Sequence, residues 1–173
     1  RFTPSPTAQE GIAGHALVTG RRGACYRTEV SLSGDHGPLH VRGRADGYDP
    51  DQNTVEEIKT YRGDLASMSG NHRHLHWAQV RVYGHLMCKQ LGLDEINLAL
   101  VYFDIGKHTE TVLRETQSAE ALATMFESLC ERFVAWAEQE LAHRGARDEA
   151  LSTLRFPYPD FRPGQRDLAE TIF

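Results

Sequence analysis

The stretch "RADGYDPDQNTVEEIKTY", from Arg44 to Tyr61, decides the fold of this chain. Its two ends alternate as strands do and "DPDQN" is a turn cluster, which predicts an antiparallel hairpin. A side-chain period of two places Glu57 and Lys59 on one face of the second strand. Asp46 ends the first strand, so the hairpin brings its carboxylate near Glu57. Three ionisable groups are therefore expected to converge.

This convergence has two interpretations. Two neighbouring carboxylates repel each other, so Asp46 and Glu57 fit a divalent-metal site with Lys59 beside it. An exposed hairpin with an ordinary ion pair fits the same residues, because Asp and Glu are common near turns. The hairpin alone leaves both interpretations open.

The flanking sequence predicts helices and a further strand. "TPSPTAQEGIAGHALVTG" predicts a helix with Thr7 as its N-cap, ending near Gly20. "CYRTEVSLS" alternates and completes a three-strand antiparallel meander. The polar "RGDLASMSGNHRH" is expected as a loop, with His72 and His74 on its surface, before a helix in "LHWAQVRVYGHLMCKQLG" that Gly92 caps.

The C-terminal half supplies two strands and a long helix. "INLALVYFDI" is nearly all apolar, as in a strand covered on both faces, and "TETVLRE" predicts a strand beside it. "SAEALATMFESLCERFVAWAEQELAHRG" predicts a helix that starts at Ser118 and stops before Gly145. Its apolar side chains, expected in the core, are Leu122, Met125, Phe126, Leu129, Phe133 and Trp136. The predicted fold class is α/β, a central mixed β-sheet with flanking helices.

Composition narrows the function classes. With 173 residues, 40% hydrophobic and 25% charged, the chain suits one globular core. A net charge of -5 argues against a protein that binds polyanions over its whole surface. Any contact with nucleic acid is therefore expected in a local basic groove. The three Cys are far apart, which disfavours a zinc ribbon, an iron–sulfur cluster or a disulfide framework and favours the cytoplasm. No apolar run reaches the roughly 18 residues of a membrane span.

Four short motifs together resemble a known family. "ADGYD" followed by "EIK" resembles the signature of the PD-(D/E)XK nuclease superfamily, with Asp46, Glu57 and Lys59 at its three positions. Ala45 stands where the named motif has Pro. "GIAGH", ending at His15, resembles the metal-binding His of the RecB-like exonucleases.

The fourth motif is "QVRVY", which resembles the QxxxY helix motif of the RecB-like branch through Gln79 and Tyr83. The motifs follow the family's order, and the resemblance covers about residues 7 to 105. It implies a restriction-endonuclease-like core and a metal-dependent deoxyribonuclease, more an exonuclease than an endonuclease. Single-stranded DNA ends or flaps are the implied substrates.

The resemblance also implies a role for each matched residue. Mg²⁺ or Mn²⁺ would be held by oxygen and imidazole ligands. The implied ligands are His15, Asp46, Glu57 and the backbone carbonyl of Ile58. Lys59 would orient or deprotonate the attacking water, or stabilise negative charge in the transition state.

DNA contacts are predicted around the same site. Gln79 and Tyr83 share a helix face and would position a phosphate or stack a base, and His76 lies one turn before them. A local basic groove is expected from Arg21, Arg22, Arg42, Arg44, Arg62, Arg73 and Arg81. Of these, Arg62 directly follows the "EIKTY" strand and is a predicted DNA contact. Glu29 is either a second-metal ligand or a solvent-facing strand acid.

The C-terminal tail carries a separate resemblance. "FPYPDFRPGQRDLAETIF" resembles the entry of superfamily 2 helicases of the DinG and XPD type, through Arg162 and Gln165. No GxxxxGK[ST] loop follows within the chain. We therefore expect a nuclease domain at 1–155 and, at 156–173, a linker with its hinge at Pro157–Pro159 and the start of a helicase domain.

These observations predict a nuclease within a longer DNA repair or processing helicase. A catalytically silent single-stranded-DNA-binding module of a helicase is the alternative from another class. An α/β interaction domain with ordinary surface ion pairs is the third.

Overall fold

The computed structural model describes residues 6–155, 160 and 162–172. The helices are α1 Pro6–Thr19, α2 Gly70–Leu91, α3 Ala119–Thr153 and α4 Gln165–Ile172, with a short 3₁₀ turn at Leu65–Ser67. The strands are β1 Arg27–His36, β2 Leu39–Asp49, β3 Thr54–Tyr61, β4 Glu95–Asp104 and β5 Thr109–Ser118.

The sheet is mixed, which confirms the predicted fold class. Its five strands lie in the order β1-β2-β3-β4-β5. The first three form the predicted antiparallel meander, and β5 pairs antiparallel with β4. Only β3 and β4 run parallel, so the chain must cross the sheet between them, and α2 makes that crossing.

Helices cover both faces of the sheet. On one face, Val80 of α2 and Leu122 of α3 pack in a buried cluster with Leu98 of β4. On the other face, Val18 of α1 packs with Ile58 of β3. This double cover explains why β4 is buried along almost its whole length, as its apolar sequence predicts.

A glycine lets α1 approach the sheet closely. A Cβ at Gly14 would lie 2.5 Å from Cγ2 of Thr60 on β3, a distance that side chains do not tolerate. The helix can therefore pack directly on β3 only because Gly14 has no side chain. The next residue along the helix is His15, which this approach carries to the sheet.

Strands β2 and β3 separate partway along their length. Their pairing includes Gly47 with Glu56 and stops there, whereas β3 pairs with β4 from Thr54 to Tyr61. A gap consequently opens beside Ile58. The candidate site lies at this gap.

Three helix boundaries differ from the sequence prediction. Helix α1 begins at Pro6, so Thr7 lies inside it and is not its N-cap. Helix α2 begins at Gly70 because the Ser69 side chain caps it by accepting the N–H of His72. His72 is thus helical and not in a loop, although its exposure is as predicted, and the same holds for His74.

The third difference is the end of α3. Ser118 caps its start as predicted, by accepting the N–H of Ala121 at 3.2 Å. The helix nevertheless passes through Gly145 and ends at Thr153, since an internal glycine costs only about 1 kcal/mol relative to alanine.

Only part of the predicted α3 core is buried. Leu122 and Phe126 are buried. In contrast, the exposed fractions are 38% for Leu129, 52% for Phe133 and 54% for Trp136, so the core prediction is wrong for these three. Periodicity reveals an apolar helix face, but it does not reveal what covers that face.

The chain divides into two compact units, Arg1–Arg132 and Phe133–Phe173. The proposed nuclease and helicase boundary at residue 155 stays a prediction, and its hinge at Pro157–Pro159 lies outside the described residues. In the second unit, the side chain of Gln165, the first residue of α4, accepts the backbone N–H of Arg162 at 2.8 Å. Among the described residues, no helix is both long and apolar enough to cross a lipid bilayer.

Candidate active site

Asp46 joins three elements at the gap. Its Oδ1 lies 3.2 Å from Nδ1 of His15 on α1, and its Oδ2 accepts the backbone N–H of Ile58 on β3 at 2.7 Å. The hydrogen bond to Asp46 raises the pKa of His15, with burial opposing it. Two of the residues matched to metal ligands are therefore already in contact.

Glu57 is the most deeply buried of the acids at this gap. The residue is 3% exposed, and its Oε1 accepts a hydrogen bond from Nζ of Lys59 at 2.6 Å. Burial, with the nearby charge of Asp46, raises the pKa of Glu57 to about 7, although Lys59 opposes the shift. Its Oε2 is buried and has no hydrogen-bond partner in the described part of the chain.

The carbonyl of Ile58 points into the same gap. In an extended strand the N–H and C=O of one residue point to the same edge. Because the N–H of Ile58 binds Asp46, its carbonyl also faces the edge where β2 has departed. The predicted backbone ligand is on the required side.

The residues matched to metal ligands are not gathered around one point. Within the described ranges, no three His, Cys, Asp or Glu side chains are arranged to hold a metal ion. Lys59 and His15 instead take up one carboxylate oxygen each. The unpartnered Oε2 of Glu57 is the observation that fits a cation, because a buried carboxylate oxygen without a donor is costly.

A row of hydrogen bonds runs from this site to α2. Nζ of Lys59 donates to Oε1 of Gln79 at 3.0 Å, and Nε2 of Gln79 donates to the hydroxyl of Tyr83 at 3.1 Å. Lysine has only donors, so Gln79 must present its oxygen to it and its amide nitrogen to Tyr83. The QxxxY pair therefore contacts the predicted catalytic lysine directly.

The two remaining predicted DNA contacts have partners of their own. Nδ1 of His76 lies 2.9 Å from the hydroxyl of Tyr102 on β4. Burial and the neighbouring Lys59 lower the pKa of His76. Arg62 extends from the end of β3 and binds Glu10 of α1 at 2.8 Å.

The predicted basic groove is largely absent, because carboxylates neutralise most of its arginines. The pairs are Arg21 with Glu110, Arg22 with Glu56 and Glu110, Arg44 with Glu29, Arg62 with Glu10 and Arg81 with Glu115. In the described residues, Arg42 and Arg73 have no such pair. Positive charge at this face is therefore sparse and local.

Glu29 lies beside the candidate site in an unusual conformation. Its neighbours on β1 pair with Gly47 and Ala45, so it faces Asp46 across the strands. It has a φ of 56°, which non-glycine residues seldom adopt, and its carboxylate lies 2.5 Å from Arg44. A cavity of about 480 Å³ is lined by both residues together with His15 and Asp46.

Sequence reasoning missed a buried network behind the site. Oε2 of Glu56 accepts hydrogen bonds from Nε of Arg22 at 2.9 Å and from the hydroxyl of Tyr26 at 2.8 Å. Burial, with the charge of Glu56, raises the pKa of Tyr26. The network fixes the segment after α1 on β3. One sequence feature could have indicated this network. Adjacent strand residues point to opposite faces, so Glu56 must lie on the face opposite Glu57 and needs a partner there.

The fold and this site define an α/β protein with a mixed five-stranded sheet and a polar cluster where two strands separate. No family model matches the chain, and no curated protein matches it. The crystal structure of a protein from Eubacterium rectale named "Putative exonuclease" has the same fold, with 14% identity and a TM-score of 0.51 over 73% of this chain. The crystal structure of SSO0001 shares 24% identity over 71% of this chain, with a TM-score of 0.47. The matched part spans 51% of the first of these chains and 59% of the second.

Proposed function

We propose that this chain is a divalent-metal-dependent nuclease of the PD-(D/E)XK superfamily, in its RecB-like branch. The observation that carries the proposal is the unpartnered, buried Oε2 of Glu57 beside Asp46 and Lys59. The name of the structural neighbour from Eubacterium rectale is consistent with it.

Each residue has a defined part in phosphodiester hydrolysis. Bound Mg²⁺ or Mn²⁺ would polarise the scissile phosphate and acidify the attacking water. His15, Asp46, Oε2 of Glu57 and the carbonyl of Ile58 would hold the ion, and its positive charge would weaken the bond between Lys59 and Oε1 of Glu57. The freed ammonium of Lys59 can then stabilise the charge that develops on the phosphate, while Gln79 keeps it in place.

The substrate proposed is single-stranded DNA, as ends or flaps. Most arginines around the site are already paired, so long duplex contacts have little basis on this surface. A following helicase domain, a role in DNA repair and a cytoplasmic location remain proposals that rest on the sequence.

A cleavage assay tests the proposal. End-labelled single-stranded, duplex and flapped oligonucleotides are incubated with Mg²⁺, Mn²⁺ or EDTA, using the wild type and Glu57→Gln. We expect metal-dependent cutting that is fastest on single strands and flaps and absent with EDTA or in the variant. Cutting by Glu57→Gln at the wild-type rate would contradict the assignment, because a contaminating nuclease or another site would then be responsible.

The ion pair between Lys59 and Glu57 favours a second candidate, a silent DNA-binding module. In that role the 2.6 Å pair would be permanent and no metal would displace it. Melting with and without Mn²⁺ separates the two, since only a metal-binding protein gains stability by mass action.

A further inference from the structure

Arg73, a half-buried residue of α2 near the candidate site, has no carboxylate partner among the described residues. In the part of the chain that the structure describes, the half-buried arginines are Arg22, Arg73 and Arg81. Two carboxylates bind Arg22, and the fork of Arg81 binds both oxygens of Glu115 at 2.7 and 2.8 Å. Arg73 has neither arrangement, and its Nε is buried without a hydrogen-bond partner.

The surroundings of Arg73 are polar, and none of the described carboxylates forms an ion pair with it. Its guanidinium lies close enough to the hydroxyl of Tyr102 to oppose the burial that raises the pKa of this phenol. The same hydroxyl lies 2.9 Å from Nδ1 of His76. The charged or titratable groups that act on His76 are Lys59 and His72, both of which lower its pKa. Lys59 is paired with Glu57, so Arg73 is the cation of this cluster for which the described residues supply no carboxylate.

This cluster adjoins the candidate catalytic lysine. Tyr102 of β4 is the register partner of Lys59 on β3, and paired strands lie about 4.8 Å apart. His76 lies on α2 one turn before Gln79, which binds Lys59. An anion held by Arg73 would therefore sit next to whatever Lys59 contacts.

We propose that Arg73, His76 and Tyr102 form a subsite for a phosphate group of the nucleic acid, adjacent to the phosphate that is cut. A partly buried cation without a counter-ion is costly, so the position of Arg73 beside Lys59 favours an anion that arrives with the ligand. The guanidinium fork matches two phosphate oxygens, and the imidazole adds a donor through Nε2. The inference rests on the proposed function and adds the position of the substrate strand.

The test combines binding and stability. Arg73→Met removes the charge and keeps most of the side-chain bulk. Lys89→Met is the matched control, because Lys89 is an exposed cation on the same helix about 24 Å along its axis. Binding of a labelled oligo(dT) is measured in Ca²⁺ at several salt concentrations, and each protein is melted without DNA. His76→Ala serves as a second variant of the same subsite.

We expect Arg73→Met to bind oligo(dT) about tenfold or more weakly, with a salt dependence shallower by about 0.7 in slope, while Lys89→Met matches the wild type. Without DNA, Arg73→Met should melt at or above the wild-type temperature. His76→Ala should weaken binding less. If Arg73→Met binds oligo(dT) with the affinity and salt dependence of the wild type, the subsite is wrong and the proposed function still stands. A lower melting temperature in Arg73→Met would also overturn the subsite, because it would show that Arg73 has a structural role. Failure of the wild type to bind any DNA would overturn the proposed function with it.

Discussion

Asp46 holds the backbone N–H of Ile58 at 2.7 Å, at the position where the ladder between β2 and β3 has ended. A side chain thus replaces the missing backbone pairing. The same carboxylate contacts His15 through its other oxygen. One residue therefore both closes the strand gap and supplies a proposed metal ligand.

These two roles of Asp46 can be separated by substitution. Asp46→Asn retains an oxygen for the N–H of Ile58, whereas Asp46→Ala leaves that N–H without its partner. We expect Asp46→Ala to lose about 1–3 kcal/mol more unfolding free energy than Asp46→Asn, as measured by urea denaturation. Both variants should lose metal-dependent cleavage. Equal stabilities would mean that the strands are held together by other contacts.

Glu57 should make the free protein less stable as the pH rises. Its pKa is raised from 4.5 to about 7 in the folded state, so between these values the folded protein keeps a proton that the unfolded chain has lost. Stability therefore falls through this window and the loss is complete above about pH 7.

Glu57→Gln should remove this dependence. Without metal, the stability of Glu57→Gln relative to the wild type should increase from pH 4 to pH 8 by at most about 3 kcal/mol. With Mn²⁺ the order should reverse above pH 7, because only the wild type binds the ion. Parallel stability curves without metal would contradict the burial of a titrating Glu57.

Lys59→Met should separate metal binding from chemistry. The ammonium occupies Oε1 of Glu57, so its removal should leave Mn²⁺ affinity in calorimetry unchanged or higher. Cleavage should fall by about 10²-fold to 10³-fold if Lys59 stabilises the transition state. Cutting at the wild-type rate would show that Lys59 is only a structural counter-ion.

Tyr83→Phe tests whether the QxxxY pair acts through Lys59. The hydroxyl of Tyr83 holds the amide nitrogen of Gln79, which turns the amide oxygen toward Lys59. Losing this hydroxyl should lower kcat while oligo(dT) affinity stays within about twofold, because a small misplacement of a catalytic group costs rate more than binding. Tyr83→Ala, which also removes the ring, is the comparison that reports any stacking with a base. A parallel loss of rate and affinity in Tyr83→Phe would assign the hydroxyl to DNA contact instead.

Local patterns predicted the part of the fold that holds the site. Period-two alternation placed Glu57 and Lys59 on one face, and their 2.6 Å contact confirms it. The apolar β4 and the αL cap at Gly92 were also predictable, because burial and positive φ each have a specific sequence signature. Helix starts were less predictable. Thr7 and Ser69 are both residue types that cap helices, but Thr7 lies inside α1 whereas Ser69 caps α2.

The partners of charged side chains could not be predicted. The sequence groups Arg22 and Arg73 as basic residues near the motifs, yet Arg22 is half-buried against Glu56, and Arg73 has no carboxylate partner among the described residues. Glu56 lies on β3 and Arg22 lies 34 residues earlier, in the segment after α1, so their contact depends on tertiary packing that no local pattern reveals. The roles of the site residues as metal ligands or DNA contacts remain predictions for the same reason, because they depend on a bound cation and substrate.

The close packing at Gly14 links cation binding to the attachment of the N-terminal helix. His15 is the proposed ligand that α1 supplies, while the others come from β2 and β3. An ion bound by all of them would clamp the helix to the sheet, and its release would leave the helix held by its packing and ion pairs. The helix should then be cleaved by protease faster when divalent cations are withdrawn. A larger residue at position 14 should also weaken the attachment of α1 to the sheet and speed its proteolysis, without altering any proposed ligand.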